Sequence, residues 1–482
     1  MKNFKTILLV LCGLLIVPLL LTNCKKQTQN EVVILSVNDM HANVDNFPKF
    51  AALVDSLRGV YPDLLLVSAG DNQTGNPVND QYSEKGLPMI ELMNAVKFDL
   101  TCLGNHEFDV GLEQLDALIS KSNFDYICAN MQAPTIPDFN VKPYVICQLD
   151  NGVKVAFLGL LQINNQGIPD THPARVKDVV FTDPYEVAPN YAFLKDSADV
   201  FVAVTHLGFE EDVKLSEIMA DKGLHLIIGG HSHTIVEDQQ VHNGIVITQT
   251  GNKVRNATLQ RINVDNKKVS ITTQLISIDN ITKEDSSVRA MVNKYNDSPT
   301  LSVVVGQASA DFTTYDALGY LMADANRTIA NADLALQNPG GVRINELKKG
   351  DITLLDVYKL DPFGNELITK NLTGQEVLNY LYASYPVDNN ETIPSGFDVK
   401  YTFDADKKVE KIEAFIKGKP IDLNKTYKVA LSSYTATAYN FEHQDAGTSM
   451  FITTAQALIN HIQNVKTVKD YSKENRITQI SK

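Results

Sequence analysis

Five short stretches of the chain bring together the side chains that hold divalent cations: Asp39-Met40-His41, Gly70-Asp71-Asn72, Gly104-Asn105-His106-Glu107, Thr205-His206 and Gly229-Gly230-His231-Ser232-His233. Carboxylate, amide oxygen and imidazole, with no thiolate among them, suit hard-to-borderline metals. Each stretch follows a β-branched run, at residues 32–37, 64–67, 100–103, 200–204 and 224–228, so each stands where a strand ends. Ligands of α/β architectures gather at the carboxyl ends of strands, and five such loops can converge on one site. His231 and His233 are two residues apart, so both face one pocket only if the backbone bends, which Gly229-Gly230 permits. Singly, an Asp-x-His or a Gly-Asn-His is an ordinary turn. Five in one chain, each at a strand end, point to a metal centre.

The elements that must position these loops follow from periodicity. Helical spacing at 89–96, 112–120 and 213–219 lies between the strand runs, with a further strand at 155–160. Near-continuous apolar strands alternating with helices imply sheets covered by helices. Asn151-Gly152 marks a hairpin, so pairing is mixed, and 257–264 with 269–276 reads as a closing hairpin. Residues 282–300 form a linker with a helix at 288–295. A second alternation follows: helix 317–329, strands at 334–337 and 367–369, helix 374–383, strands to about 431, and helix 454–465 closing the chain. This predicts two domains, 31–281 and 301–482.

With 482 residues the chain is too long for one compact domain, and 44% apolar against 21% charged residues excludes a disordered protein. A net charge of −14 excludes a binder of nucleic-acid backbones, which needs clustered cations. Lys2 and Lys5 precede an apolar run at 7–21 that ends in Leu21-Thr22-Asn23-Cys24. Residues 1–23 read as an export signal resembling that of bacterial lipoproteins, with Cys24 lipidated and 24–30 a polar tether. An uncleaved anchor is the alternative, but the run is shorter than the ~20 residues a span prefers. Cys102, Cys128 and Cys147 are odd in number and apolar in setting, and are expected to be buried small hydrophobes.

The order of the five stretches resembles the calcineurin-like metallophosphoesterase superfamily. Gly104-Asn105-His106-Glu107-Phe108-Asp109 and Gly229-Gly230-His231-Ser232-His233-Thr234 resemble the exported 5′-nucleotidase family more closely. Asn338-Pro339-Gly340-Gly341-Val342-Arg343 is similar to that family's Asn-Gly-Gly-Gly-Ile-Arg, and Asp361-Pro362-Phe363-Gly364-Asn365 to its Pro-Phe-Gly-Asn. The resemblance spans about residues 31–465. It implies an N-terminal four-layer αββα sandwich with mixed sheets, a linker helix and a smaller α+β C-terminal domain. It also implies two divalent metal ions, one held by Asp39, His41 and His233 and the other by Asn105, His206 and His231. Asp71 would bridge them through both carboxylate oxygens, since two dications about 3.5–4 Å apart need a shared anion. The donor types are compatible with Mn, Zn, Co or Fe. His106 would face the phosphate as the catalytic group, with Asp109 orienting it. Phe363 and Tyr434 would sandwich a nucleobase, and Asn338 and Arg343 would hold ribose or phosphate. The remaining histidines, His172, His225, His242, His443 and His461, read mostly as surface or structural residues.

Two segments depart from the family. Thr313-Thr314-Tyr315 stands where it commonly has an Arg, and residues 439–447 replace its Gly-Gly-Asp-Gly loop. Both are expected to touch the organic part of the substrate. The implied function is removal of phosphate from extracytoplasmic nucleotides by a periplasmic or cell-surface lipoprotein that meets the membrane through Cys24. A related phosphoesterase acting on UDP-sugars, 2′,3′-cyclic nucleotides or nucleoside di- and triphosphates is the alternative. A non-catalytic nucleotide-binding lipoprotein fits less well, because every expected ligand is present and such polar groups are costly to bury without metal.

Overall fold

The computed structural model describes residues 30–388 and 390–481. The expected signal segment and Cys24 lie outside the described residues. Among those described, no helix is long and apolar enough to cross a membrane.

The strand Glu31–Val37 is buried along its whole length because it serves two cores. Val33, Leu35 and Val37 face a cluster with Phe47, Phe50, Met93 and Leu118 from covering helices. Val32 and Ile34, on the other face, pack with Val155, Phe157, Val200 and Val202 of a second sheet. Side chains alternate across a strand, so an unbroken apolar run marks a strand covered on both sides. The second sheet divides likewise: Ala156, Leu158, Phe201 and Ala203 face outward to Leu215 and Met219 of helix Phe209–Met219.

The first sheet has seven strands, in the order Lys268–Ser277, Asn256–Asp265, Glu31–Val37, Leu65–Ser68, Leu100–Cys102, Asp125–Ile127 and Val141–Lys142. The closing hairpin pairs antiparallel with Glu31–Val37, and the others run parallel. The second has six: Gln240–His242, Ile245–Thr248, Leu226–Ile228, Val200–His206, Lys154–Leu161 and Tyr144–Gln148. Asn151-Gly152 turns between the last two, with Gly152 at φ 88°. Helices Phe47–Arg58, Leu87–Val96 and Leu112–Lys121 cover the first sheet, and Phe209–Met219 lies on the second, giving the four layers of the expected αββα sandwich. Cys102 and Cys128 are buried, whereas Cys147 is half-buried.

Helix Ser286–Asn296, capped by Asp285, packs Val288, Val292 and Tyr295 onto the first core. Beyond it, five strands (Ile393–Ser395, Leu334–Gln337, Thr426–Ser432, Glu366–Thr373, Thr448–Thr453) form the main sheet of an α+β unit. Helices Tyr315–Ile329, Gly374–Asp388 and Thr454–Val465 accompany it. Helix 454–465 does not close the chain: strands Thr467–Val468 and Ile477–Ser481 follow, the latter parallel to Asp398–Phe403.

Candidate active site

The parallel strands of both sheets end on one side, and the five loops meet there. Tight entry into the site falls on the candidate residues themselves: Asp39, His41, Asp71, His231 and His233 have φ of 49°, 46°, 51°, 79° and 56°. Non-glycine residues rarely adopt this left-handed region and persist in it where surrounding structure imposes it, which is common at functional sites. The expected bend therefore occurs at the histidines, not at Gly229-Gly230. Those glycines provide close approach: a Cβ at 229 would collide with the Asp212 carboxylate, and one at 230 would lie 2.6 Å from the Ala69 carbonyl oxygen.

Three groups of metal-competent atoms converge within 4.8 Å: Asp39, His41 and His233; Asp39, Asp71 and His206; His41, Asp71 and His106. His41 and His233 bring their Nε2 atoms to 2.9 Å of each other, with His41 Nδ1 3.0 Å from the Thr74 carbonyl oxygen and His233 Nδ1 3.0 Å from the Asn252 amide. His206 Nδ1 lies 2.7 Å from the Ala69 carbonyl oxygen. Its Nε2, 3.1 Å from Asp71 Oδ2, is buried without a hydrogen-bond partner. A second-layer acceptor that fixes the outer nitrogen and leaves the inner one aimed at the cavity is the arrangement of metal-binding imidazoles. His231 Nδ1 and Asn105 Oδ1 are 3.0 Å apart, and Asn105 Nδ2 donates to the Asp170 carbonyl oxygen at 3.0 Å, turning its oxygen inward. Both carboxylate oxygens of Asp71 were expected at the centre. Only Oδ2 faces the imidazoles, because Oδ1 accepts the His106 N–H at 2.8 Å.

Protonation follows the neighbours. Burial opposes charge on His206, yet Asp71 and Asp39 push its pKa up to about 10. Burial, with the Arg343 guanidinium 3.2 Å away, holds His41 well below the usual imidazole value. For His106 burial also opposes charge, but Asp71 and Asp109 outweigh it and raise the pKa; its Nδ1 is 2.7 Å from Asp109 Oδ2.

The C-terminal unit completes the cavity. A space of about 230 Å³ is lined by Asp71, Asn105, His106, His231 and His233 on one side and by Asn338, Arg343, Phe363, Tyr434 and Asp388 on the other. The Phe363 ring stacks on His106 at 5.8 Å, and Arg343 lies 5.4 Å over that ring. All thirteen residues singled out from the sequence are thus placed: ten line the cavity, and Asp39, His41 and His206 belong to the buried cluster of metal-competent atoms beside it. Neither 313–315 nor 439–447 lines the cavity, contrary to expectation. Each stands one layer behind: the Tyr315 hydroxyl donates to the Pro339 carbonyl, and Tyr439 to Asp388.

Several residues assigned no role from the sequence also join the site. His172, expected to be an ordinary surface or structural histidine, lines the cavity while its Nδ1 accepts from Ala174 N. Thr171 and Arg175 both donate to Asp109. Glu107 is buried beneath the centre and accepts the backbone N–H of Asp71, Asn72 and Gly104 at 2.7–2.9 Å. Burial, reinforced by Asp71, pushes its pKa up to about 7. Its place within Gly104–Glu107 was the available signal.

Residues 32–234 match the calcineurin-like phosphoesterase family, and residues 300–444 match the 5′-nucleotidase C-terminal domain. The chain is 27% identical to an endonuclease, YhcR, of Bacillus subtilis over 92% of its own length but only 40% of that protein's. It is 28% identical to a 5′-nucleotidase of Vibrio cholerae, covering 84% of each chain. A crystal structure of a 5′-nucleotidase precursor from Thermus thermophilus shares the fold with a TM-score of 0.81 and 24% identity, over 93% of this chain and 99% of that one.

Proposed function

Because the chain joins a calcineurin-like phosphoesterase domain to a 5′-nucleotidase C-terminal domain, we propose that it hydrolyses phosphate from nucleoside 5′-phosphates with the help of two divalent cations. The observation that carries this reading is the convergence of the buried His206 Nε2, which makes no hydrogen bond, with Asp39 and Asp71 carboxylate oxygens in one cluster. Buried carboxylates and imidazoles gathered this closely are costly to desolvate, and a bound cation offsets that cost. Asp39, His41 and His233 would hold one ion, Asn105, His206 and His231 the other, and Asp71 Oδ2 would face both. Mn, Zn, Co and Fe all suit these donors. Such ions, when bound, supply Lewis acidity toward phosphoryl oxygens and lower the pKa of water.

The chain's own residues do the rest. His106, paired through Nδ1 with Asp109, presents Nε2 to the cavity; as imidazolium it stabilises developing charge and gives that proton to the leaving oxygen. Arg343 adds a positive charge beside His41. Phe363 and Tyr434 offer rings to a base, and Asn338 lines the same wall. Export and lipidation at Cys24 complete the proposal and place this activity outside the cytoplasm. Phosphate release from a panel of nucleoside mono-, di- and triphosphates, UDP-sugars and 2′,3′-cyclic nucleotides, with and without chelator, tests it. Turnover of 5′-monophosphates that chelator abolishes and added metal restores is expected. Chelator-insensitive release, or none from any ester, would sink the reading.

A further inference from the structure

Helix Gly374–Asp388 ends at the cavity, and its last residue contributes a carboxylate to the wall. Asp388 Oδ2 accepts the Tyr439 hydroxyl at 2.6 Å. Tyr439 is itself buried, packed edge-on against Tyr380 at 5.2 Å and Tyr434 at 6.4 Å, so the carboxylate is held from behind. Among the described residues no Lys, Arg or His forms an ion pair with it. Burial, and the charge of Asp170 across the cavity, push its pKa up to about 6. Asp445, the acid within residues 439–447, is committed elsewhere: it accepts from Asn371 and from Gly447 N.

An unneutralised carboxylate in a pocket that must admit a phosphate is unfavourable unless it serves another group. The anion end of the cavity has its own cations, Arg343 and the histidine cluster; Asp388 stands with Tyr434 on the C-terminal wall. We propose that Asp388 is a specificity-determining acceptor for a hydrogen-bond donor on the uncharged, organic part of the substrate, a sugar hydroxyl or a ring amine, with Tyr439 positioning it. This rests on the nucleotidase reading of the same cavity.

The test compares AMP with p-nitrophenyl phosphate, which carries no such donor, for wild type, Asp388→Asn, Asp388→Ala and Tyr439→Phe, with thermal unfolding as the check on folding. In Asp388→Ala the ratio of kcat/KM for AMP to that for the aryl ester should fall about 10–100-fold, mostly through KM, the size of a lost charge-assisted hydrogen bond. Asp388→Asn, which keeps an acceptor oxygen and the shape, should lose less, and Tyr439→Phe should raise KM for AMP without a matching change in kcat. If the Asp388→Ala loss vanishes with 2′,3′-dideoxy-AMP the donor is the sugar; if it vanishes with IMP, the amine. A loss undiminished on both analogues, or an unchanged ratio in a wild-type enzyme that prefers AMP, overturns the role of Asp388 alone. Wild-type protein that hydrolyses the aryl ester but no nucleotide overturns the nucleotidase reading and this inference with it.

Discussion

Arg175 Nη2 donates to the carbonyl oxygen of Phe363 at 3.1 Å, while Nη1 of the same guanidinium donates to Asp109. One side chain of the phosphoesterase unit thereby ties the C-terminal aromatic to the His106–Asp109 pair. Arg175→Ala should loosen Phe363 over His106 and lower kcat/KM by about 10-fold, the lower end of what lost outer-layer contacts cost at a site. Arg175→Lys should recover only part, because an ammonium does not match two acceptors as the planar fork does. Steady-state kinetics decide; equal activity in all three proteins would make the contact incidental.

The second prediction concerns the shared anion. Asp71 Oδ2 faces the imidazoles while Oδ1 holds the His106 N–H. Asp71→Asn retains the shape and the Oδ1 acceptor but removes the charge. Activity should fall to the level of the chelated wild type while the fold survives, and bound metal measured by elemental analysis should drop. Near wild-type turnover with two ions bound would contradict the two-cation proposal.

Ligand and catalyst separate at His106. Its Nδ1 is engaged with Asp109 and its Nε2 is 3.9 Å from Asp71 Oδ2, near enough to the cluster to raise the question. His106→Ala should keep both ions and lower kcat roughly 10²–10⁴-fold, as expected for loss of a general acid. Loss of metal would instead make His106 a ligand.

Why some of this was legible in the chain and some was not has physical causes. The run from Val32 to Leu35 is apolar without alternation because both faces are covered, and such runs announce themselves. Side chains that meet at one centre must leave strand ends within a few residues, so Asp39, Asp71, Asn105, His206 and His231 kept readable motifs. Helix Phe47–Arg58 carries the right spacing, Phe47, Phe50, Ala51 and Val54, but opens on Phe47-Pro48, which resembles a break; the proline sits in the first turn, where its missing N–H costs nothing. Strand Ile477–Ser481 is mostly exposed and polar, so no period marks it. Arg175, His172 and Asp388 gain their importance only from what tertiary folding sets opposite them. No local pattern encodes that.

A fourth prediction follows from a buried acid behind the site. Asp212 Oδ1 accepts the Thr205 hydroxyl at 2.6 Å, and its Oδ2 is buried without a partner. Burial pushes its pKa up to about 8. The folded chain therefore keeps a proton that the unfolded chain releases above the ordinary carboxyl value of 3.8. This contribution is fully present below that value and is lost as pH rises through about 8, by up to about 1.4 kcal/mol per pH unit in between. Unfolding in urea from pH 4 to 8, in chelator so that metal binding does not enter, should show wild type losing stability relative to Asp212→Asn as pH rises. Parallel curves would mean that Asp212 is ionised in the fold.

The last prediction separates the two aromatic residues, which have different neighbours. Phe363 stacks on His106 at 5.8 Å and carries Arg343 at 5.4 Å, whereas Tyr434 meets Tyr439 edge-on at 6.4 Å. Phe363→Ala removes both a ring available to a base and the cover over the His106 imidazole, so it should slow AMP and p-nitrophenyl phosphate alike, with an added loss for AMP. Tyr434→Ala is the cleaner probe of stacking. It should cost AMP about 1–3 kcal/mol in kcat/KM, the range for a lost base–aromatic stack, and the aryl ester much less. A Tyr434→Phe variant keeps the ring and should restore most of the preference. If Tyr434→Ala lowers both substrates equally, the ring supports the C-terminal wall, and base recognition must come from elsewhere in the cavity.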